Sequence, residues 1–215
     1  MKLHRGLLLS ILLLLACWSC NNDTVEKKDI ANSILVKPDS AEKASRDITA
    51  NSYAPVDISP MDMSYYPADY PKLKMTNAGM APPVARVIYS RPHLQGRQLF
   101  HQLLKYGEPW RMGANESTEL QLFRDVTIQN KKIKAGRYVL YCIPQPDTWT
   151  IILNSNIDSW GLHPDSTKDI ARFNVEAIQI NQQLEYFTIL FQEMDGGAEL
   201  IFAWDNFEAR LPINF

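Results

Sequence analysis

Apolar and polar residues alternate along much of the chain from Val84 to the C-terminus. The clearest segment covers residues 171–177, where the apolar positions are Ala171, Phe173, Val175 and Ala177. Residues 148–153 and 207–213 show the same alternation. A period of two residues places all the apolar side chains on one face of a strand, so these segments predict half-buried antiparallel strands.

Turn residues divide this region into a series of short strands. Hairpin turns are predicted at Asn130-Lys131 and at Gly196-Gly197, and only Arg97–Lys105 has the apolar face of a helix. Many short strands without alternating helices indicate an all-β fold, an antiparallel β-sandwich or squat barrel with one short helix. We predict about nine strands, near residues 85–90, 118–123, 125–129, 132–142, 148–154, 170–178, 185–193, 198–205 and 207–213.

The segment that precedes these strands has a different composition. Residues 58–83 combine tyrosines and methionines with several prolines. Proline opposes helix formation, and so many aromatic and thioether side chains are unusual in a solvated linker. We therefore predict an extended arm that packs on the β-sandwich domain of residues 84–215. An aromatic binding strip is the alternative interpretation.

A short apolar run at the N-terminus predicts export. Lys2 and Arg5 precede the mostly apolar residues 7–16, which is the pattern of a signal peptide. The run is shorter than the roughly 20 residues that a membrane-spanning helix needs. Residues 1–16 are therefore predicted to be a signal peptide. The following residues 17–57 are polar and charged without a persistent apolar period, which is typical of a flexible tether.

The end of the apolar run carries a candidate lipidation site. Leu14-Leu15-Ala16-Cys17 resembles the bacterial lipobox, in which a small residue precedes the cysteine that becomes acylated. Cys20 is the alternative acylation site, although the residue three positions before it fits the lipobox less well. The resemblance implies a lipoprotein held on a bacterial membrane by acyl chains, with the outer membrane favoured. A plain signal peptide with a chance cysteine is the other alternative.

Charge and cysteine content exclude several classes of protein. The chain has 22 Lys and Arg residues against 24 Asp and Glu, a formal net charge of −2, so no nucleic-acid partner is expected. Three cysteines are too few for a disulfide scaffold, and Cys142 lies in an apolar strand where burial is expected. The chain has no zinc-type cysteine spacing, phosphate-binding loop, dinucleotide fingerprint or Gly-x-Ser-x-Gly sequence. We therefore expect no metal and no cofactor.

The densest polar grouping contains the motif Trp-Arg-x-Gly-Ala-Asn-Glu-x-Thr at residues 110–118. With several further segments, this motif closely resembles the bacterial family called domain of unknown function 2911, over about residues 58–213. The family consists largely of exported proteins, many of them lipoproteins, without an established activity. The resemblance therefore implies export and leaves the chemistry open. The further segments are Met61–Pro67, Tyr89–Pro92, Ala135–Tyr138, Ile143-Pro144 and Trp160-Gly161.

The motif has both a structural and a functional interpretation. Arg111 and Glu116 lie across a predicted tight turn, close enough to form an ion pair above Trp110, and Asn115 can bond the backbone locally. The same groups could instead line a pocket for a carboxylated or sugar ligand, with the indole as its wall. The candidate ligand-binding residues are Trp110, Arg111, Asn115, Glu116, Thr118 and Trp160.

Two other places in the sequence have candidate binding residues. Trp160 lies in a polar loop between strands, and exposed aromatic rings of this kind are typical of glycan-binding proteins. The alternative is that Trp160 folds back and caps the end of the sandwich. A small basic patch is a second hypothesis, formed by His93 with Arg86, Arg91 and Arg97. A solvated surface is the simpler interpretation.

The sequence favours a non-catalytic binding or structural module of the cell envelope. Its expected partners are the membrane and a glycan or carboxylated small molecule. The alternative is a small envelope hydrolase in which Glu116 acts as acid or base and Arg111 holds the substrate. A third hypothesis is a purely structural protein that contacts its partner through the arm of residues 58–83.

Overall fold

The structure, a computed structural model, describes residues 58–215. The predicted signal peptide, both candidate lipidation sites Cys17 and Cys20, and the predicted tether lie outside the described residues. The described residues form one compact unit. Within residues 58–215, no helix is long and apolar enough to cross a membrane.

Within residues 58–215, nine antiparallel strands form one sheet in the order β1-β2-β3-β6-β7-β8-β9-β4-β5, accompanied by one α-helix. The all-β, antiparallel prediction with about nine strands and one short helix is therefore confirmed, but the helix does not lie at the predicted position. The elements are β1 (Met61–Tyr66), α1 (Tyr70–Thr76), β2 (Ala85–Ser90), β3 (Thr118–Leu122), β4 (Val126–Ile128), β5 (Lys131–Ile133), β6 (Gly136–Pro144), β7 (Thr148–Asn154), β8 (Asp169–Met194) and β9 (Gly197–Asn214).

The predicted alternation is present in the first part of β8. Phe173 and Val175 are buried, whereas Arg172 and Asn174 between them are exposed. The buried residues join a single apolar core to which β2 to β9 all contribute, and the half-buried Tyr66 of β1 packs against it. Trp149 and Trp204 are the largest side chains in this core. Burial of large apolar side chains on one face of the sheet provides most of the driving force for this fold.

The two longest strands bend the sheet. The sequence pattern divided residues 169–194 and 197–214 into four strands, whereas each range forms one long strand. Irregular pairing with β9 between Gln179 and Thr188 bends β8 without ending it, as β-bulges do. The second part of β8 consequently reaches the segment after β2. There, Leu94 N donates to Glu185 O at 3.0 Å and Phe187 N donates to Pro92 O at 2.9 Å.

The predicted helix at Arg97–Lys105 is wrong. Phe100 has an extended backbone, with φ −90° and ψ 140°, and His101 has a positive φ of 92°. These residues form a tight loop, closed by a hydrogen bond from Leu104 N to Leu99 O at 2.8 Å. The helical spacing of apolar residues was misleading because Leu99, Phe100 and Leu104 enter the core from a loop instead.

The arm of residues 58–83 forms a strand and a helix. Met61–Tyr66 pairs with β2 along its whole length as β1, so this part is extended as predicted. The α-helix follows at Tyr70–Thr76, where the sequence predicted none. Pro71 lies in its first turn, where the missing N–H has no partner to lose, and proline is therefore compatible with this helix.

Candidate functional site

Trp110 is fixed by both its backbone and its ring. It extends the ladder beside β6 past the start of β3: Trp110 N donates to Cys142 O at 2.7 Å, and Cys142 N donates to Trp110 O at 2.8 Å. Its half-buried indole stacks on Trp204 with 5.6 Å between ring centroids and contacts Phe187 at 4.8 Å. The position of the Trp110 indole is therefore fixed, and it can form one wall of a binding site.

The turn after Trp110 is held by two hydroxyl groups. Ser90 Oγ, at the end of β2, accepts hydrogen bonds from Ala114 N at 2.7 Å and Asn115 N at 3.1 Å. Thr118 Oγ1 donates to Met112 O at 2.7 Å. A side chain at position 113 would place its Cβ 2.7 Å from Ser90 Oγ, so this close approach requires glycine. Thr118 thus has a structural role at the start of β3.

The predicted ion pair between Arg111 and Glu116 does not form. Arg111 Nη1 donates to Trp160 O at 3.2 Å, and its guanidinium carbon lies 5.6 Å from the centroid of the Trp160 ring. Glu116 is exposed, and within residues 58–215 no ion pair joins it to Arg111. The buried Met112 between them has a positive φ of 58°, and the two side chains line different cavities.

The loop that carries Trp160 lies against the motif of residues 110–118. Ser117 Oγ donates to Ser159 O at 2.8 Å. Gly161 has a φ of 77°, and a Cβ there would lie 2.2 Å from Ser117 Oγ, so only glycine fits. The Trp160 side chain itself remains 58 % exposed and does not fold back into the core. The structure therefore brings Trp160 next to Arg111, as the binding hypothesis assumed.

A first cavity of 410 Å³ lies beside Trp110. Its apolar walls come from Trp110, Trp204 and leucines at positions 103, 104 and 162. Its charged and titratable lining groups are Arg97, Arg111 and His93, and no Asp or Glu is among the lining residues. Burial lowers the pKa of Arg111 below its ordinary value, but a guanidinium remains charged near neutral pH. The first cavity is therefore apolar and cationic.

The nitrogen-bearing side chains of the first cavity have hydrogen-bond donors without a partner within residues 58–215. Arg97 donates from Nε to Leu94 O at 2.8 Å and from Nη2 to His93 O at 2.9 Å, which holds the guanidinium in place. Its Nη1 has no partner within residues 58–215. His93 stacks on Tyr186 with 5.1 Å between ring centroids, and its Nδ1 lies 3.7 Å from a carboxylate oxygen of Glu185. Backbone carbonyls therefore hold the Arg97 guanidinium, and stacking on Tyr186 holds the His93 ring.

Sequence reasoning missed much of this lining. Trp204 lies in an ordinary strand pattern far along the chain from Trp110, and Leu103 and Leu104 were assigned to a helix that does not form. The basic patch suggested by the sequence did contain two of the lining residues, because His93 and Arg97 belong to the first cavity. Arg91 is elsewhere, bonded to Asp62 at 3.2 Å and to Phe187 O at 3.1 Å.

A second cavity of 390 Å³ contains the other predicted site residues. Glu116 and Trp160 line it together with Glu119, Asp158 and Arg137. Arg137 donates to Glu119 Oε2 at 2.8 Å and to Asp158 Oδ1 at 3.1 Å, and these hydrogen bonds raise the pKa of Arg137. The predicted site is therefore two adjacent sites. Asn115, whose Nδ2 donates to Ser59 O at 3.4 Å, is among the lining residues of neither cavity.

Cys142 is a buried structural residue. Its side chain is completely inaccessible, and burial raises the pKa of the thiol well above its usual value. The expectation of a small buried hydrophobe is confirmed, since a thiolate is the reactive form. Within the part of the chain that the structure describes, no group of three or more His, Cys, Asp and Glu side chains is arranged to hold a metal ion.

Removing the Ser90 hydroxyl is expected to destabilise the fold, whereas removing the Glu116 carboxylate is not. Ser90→Ala leaves two amide groups without their acceptor at a buried position, which costs about 1–3 kcal/mol. For a domain of this size, each kcal/mol lowers the thermal midpoint by roughly 2–4 °C. Glu116→Ala is the control, because its side chain is exposed and has no ion-pair or hydrogen-bond partner within residues 58–215. A larger loss in Glu116→Ala than in Ser90→Ala, measured by thermal unfolding, would contradict this description of the turn.

Comparison with known proteins identifies a family. The family model described as "Protein of unknown function (DUF2911)" matches residues 73–213. Comparison with curated proteins and with solved structures finds no match. The match covers β2 to β9, both cavities' central residues and the Trp110–Thr118 motif. The chain therefore belongs to the DUF2911 family, as its motifs indicated.

Proposed function

We propose that this protein is a lipid-anchored protein of the bacterial envelope whose folded domain binds an anionic, partly apolar small molecule without catalysing a reaction. The lining of the first cavity is the observation that carries the proposal. Two guanidinium groups and an imidazole converge there with two indoles and three leucines, and no carboxylate lines the cavity. A ligand with a carboxylate and an apolar body complements this combination.

The energetics of the first cavity favour an anion. Transfer of a carboxylate out of water is costly unless it is paired. Arg97 Nη1 and the Arg111 nitrogens that have no partner within residues 58–215 provide charged donors. Their guanidinium groups are already held by backbone carbonyls, so little conformational entropy is lost on binding. The indole and leucine surfaces accommodate the apolar body, as in most small-molecule sites.

The proposed location rests on the N-terminal sequence. A charged start, an apolar run and a lipobox-like cysteine support export and acylation, with residues 17–57 as a spacer between membrane and domain. Acyl chains on Cys17 would anchor the protein, with the outer membrane favoured. The folded domain would then reach soluble ligands of the envelope.

The hydrolase hypothesis receives less support from the geometry. It requires Glu116 to act on a substrate that Arg111 holds, but these two side chains line separate cavities. The hypothesis therefore lacks the pair of groups on which it was based.

Binding is expected to distinguish two ligands that differ only in their head group. 4-Phenylbutyrate is expected to raise the thermal unfolding midpoint in a concentration-dependent manner, whereas the isosteric cation 4-phenylbutylamine is not. Arg97→Gln and Arg111→Gln should each weaken 4-phenylbutyrate binding by about tenfold, because each removes a charged hydrogen bond. Isothermal titration calorimetry measures these affinities.

The control for this experiment is Arg124→Gln, since Arg124 is exposed and lines neither cavity. It should bind 4-phenylbutyrate as the unsubstituted protein does. Equal stabilisation by the two ligands, or equal losses in all three variants, would refute the anion-binding proposal.

Acylation is expected at Cys17. In a Gram-negative host supplied with radiolabelled palmitate, Cys17→Ser should abolish labelling and membrane association, whereas Cys20→Ser should leave both unchanged. Loss of label only in Cys20→Ser would move the site to Cys20. Absence of label from the unsubstituted chain would exclude lipid anchoring through either cysteine.

A further inference from the structure

The second cavity differs from the first in charge and in the way that it presents an aromatic ring. Its lining contains Glu116, Glu119 and Asp158 but only one cationic side chain, Arg137. Its aromatic component is Trp160, the most exposed tryptophan of residues 58–215, at 58 %. The two cavities meet at the Trp160 loop, where Ser159 and Trp160 line the second and Gly161 and Leu162 line the first.

Trp160 is held in place although it is exposed. Arg111 lies over its ring with the guanidinium carbon 5.6 Å from the centroid, and also donates to its carbonyl oxygen. Ser117 holds the preceding residue through its hydrogen bond to Ser159 O. Exposure of a large apolar ring to water is unfavourable, yet here the surrounding contacts stabilise the backbone in the conformation that exposes it. A fixed, exposed indole in a cavity points to a ligand with an apolar face.

The polar side chains of the second cavity end in planar groups, and only some of their hydrogen-bonding positions have partners within residues 58–215. Arg137 contacts both oxygens of Glu119, at 2.8 and 3.0 Å, and one oxygen of Asp158 at 3.1 Å. Within residues 58–215, the Glu116 carboxylate has no hydrogen-bond partner, and Asp158 Oδ2 has none either. Carboxylate oxygens are acceptors with several lone pairs, so these groups can accept hydrogen bonds from several hydroxyls of one ligand.

We propose that the second cavity binds a carbohydrate, specifically a neutral or cationic sugar unit. The apolar C–H face of a pyranose would stack on Trp160 while its hydroxyl groups donate to Glu116 and Asp158 and accept from Arg137. The excess of carboxylates over guanidinium groups disfavours an acidic sugar, because like charges in a shared site repel. This site is separate from the anion site of the first cavity and requires a different ligand.

The test compares three sugar tetramers that differ in charge. Isothermal titration of the full-length protein, in a detergent without a sugar head group, is carried out with tetramers of N-acetylglucosamine, glucosamine and galacturonate. The neutral and cationic tetramers are expected to bind, and the anionic one to bind at least about tenfold more weakly. Trp160→Ala should weaken binding of the neutral tetramer by about tenfold through loss of stacking.

Two further variants complete the test. One controls for disturbance of the loop, and the other tests the effect of charge. Ile157→Ala removes another exposed hydrophobic side chain of the same loop, 38 % exposed, and should leave sugar binding unchanged. Glu116→Gln keeps the shape of the side chain but removes its charge, and should weaken the cationic tetramer more than the neutral one. Thermal unfolding of Trp160→Ala should match that of the unsubstituted protein, because the ring is exposed.

Three results would overturn the proposal. The first is no binding of either the neutral or the cationic tetramer. The second is tightest binding of galacturonate, which would contradict the charge argument. The third is an equal loss of binding in Ile157→Ala and Trp160→Ala, which would show that the indole is not the sugar platform.

Discussion

The pair of hydrogen bonds between Trp110 and Cys142 is the constraint on which both candidate sites depend. These bonds, at 2.7 and 2.8 Å, attach an irregular segment to the central strand β6 just before the start of β3. The indole then packs on Trp204 and Phe187, which come from the two long strands β9 and β8. The chain on both sides of Trp110 is thereby fixed, and the side chains that follow it have defined positions.

Because Trp110 is anchored, Arg111 has a fixed position between the two cavities. Its backbone directly follows Trp110, and its guanidinium lies over Trp160 in a partly desolvated position, which lowers its pKa. The same guanidinium lines the first cavity and supports the ring that lines the second. One arginine therefore contributes positive charge to the first cavity. It also holds in place the exposed aromatic ring of the second, acidic cavity. This division by charge is the basis for assigning different ligands to the two cavities.

The sequence was informative where a local pattern determines structure. Alternation in β7 and β8 predicted strands correctly because burial of one sheet face follows a period of two residues. The loop at Leu99–Leu103 was predicted as a helix because apolar spacing cannot report the positive φ of His101. Residues of the 110–118 motif line both cavities, but the predicted ion pair of Arg111 with Glu116 was wrong, since the turn at Met112 separates them. Trp204 reaches the first cavity through sheet topology, which no local pattern contains.

A crystal structure of the protein grown with 4-phenylbutyrate would show directly whether the first cavity is an anion-binding site. We expect the ligand in the first cavity, with its carboxylate about 3 Å from a nitrogen of Arg97 or Arg111 and its ring against Trp110 and Trp204. We also expect the Trp110–Cys142 hydrogen bonds to persist in the complex. An empty first cavity at saturating ligand, or a ligand bound only at another surface, would contradict the anion-binding proposal.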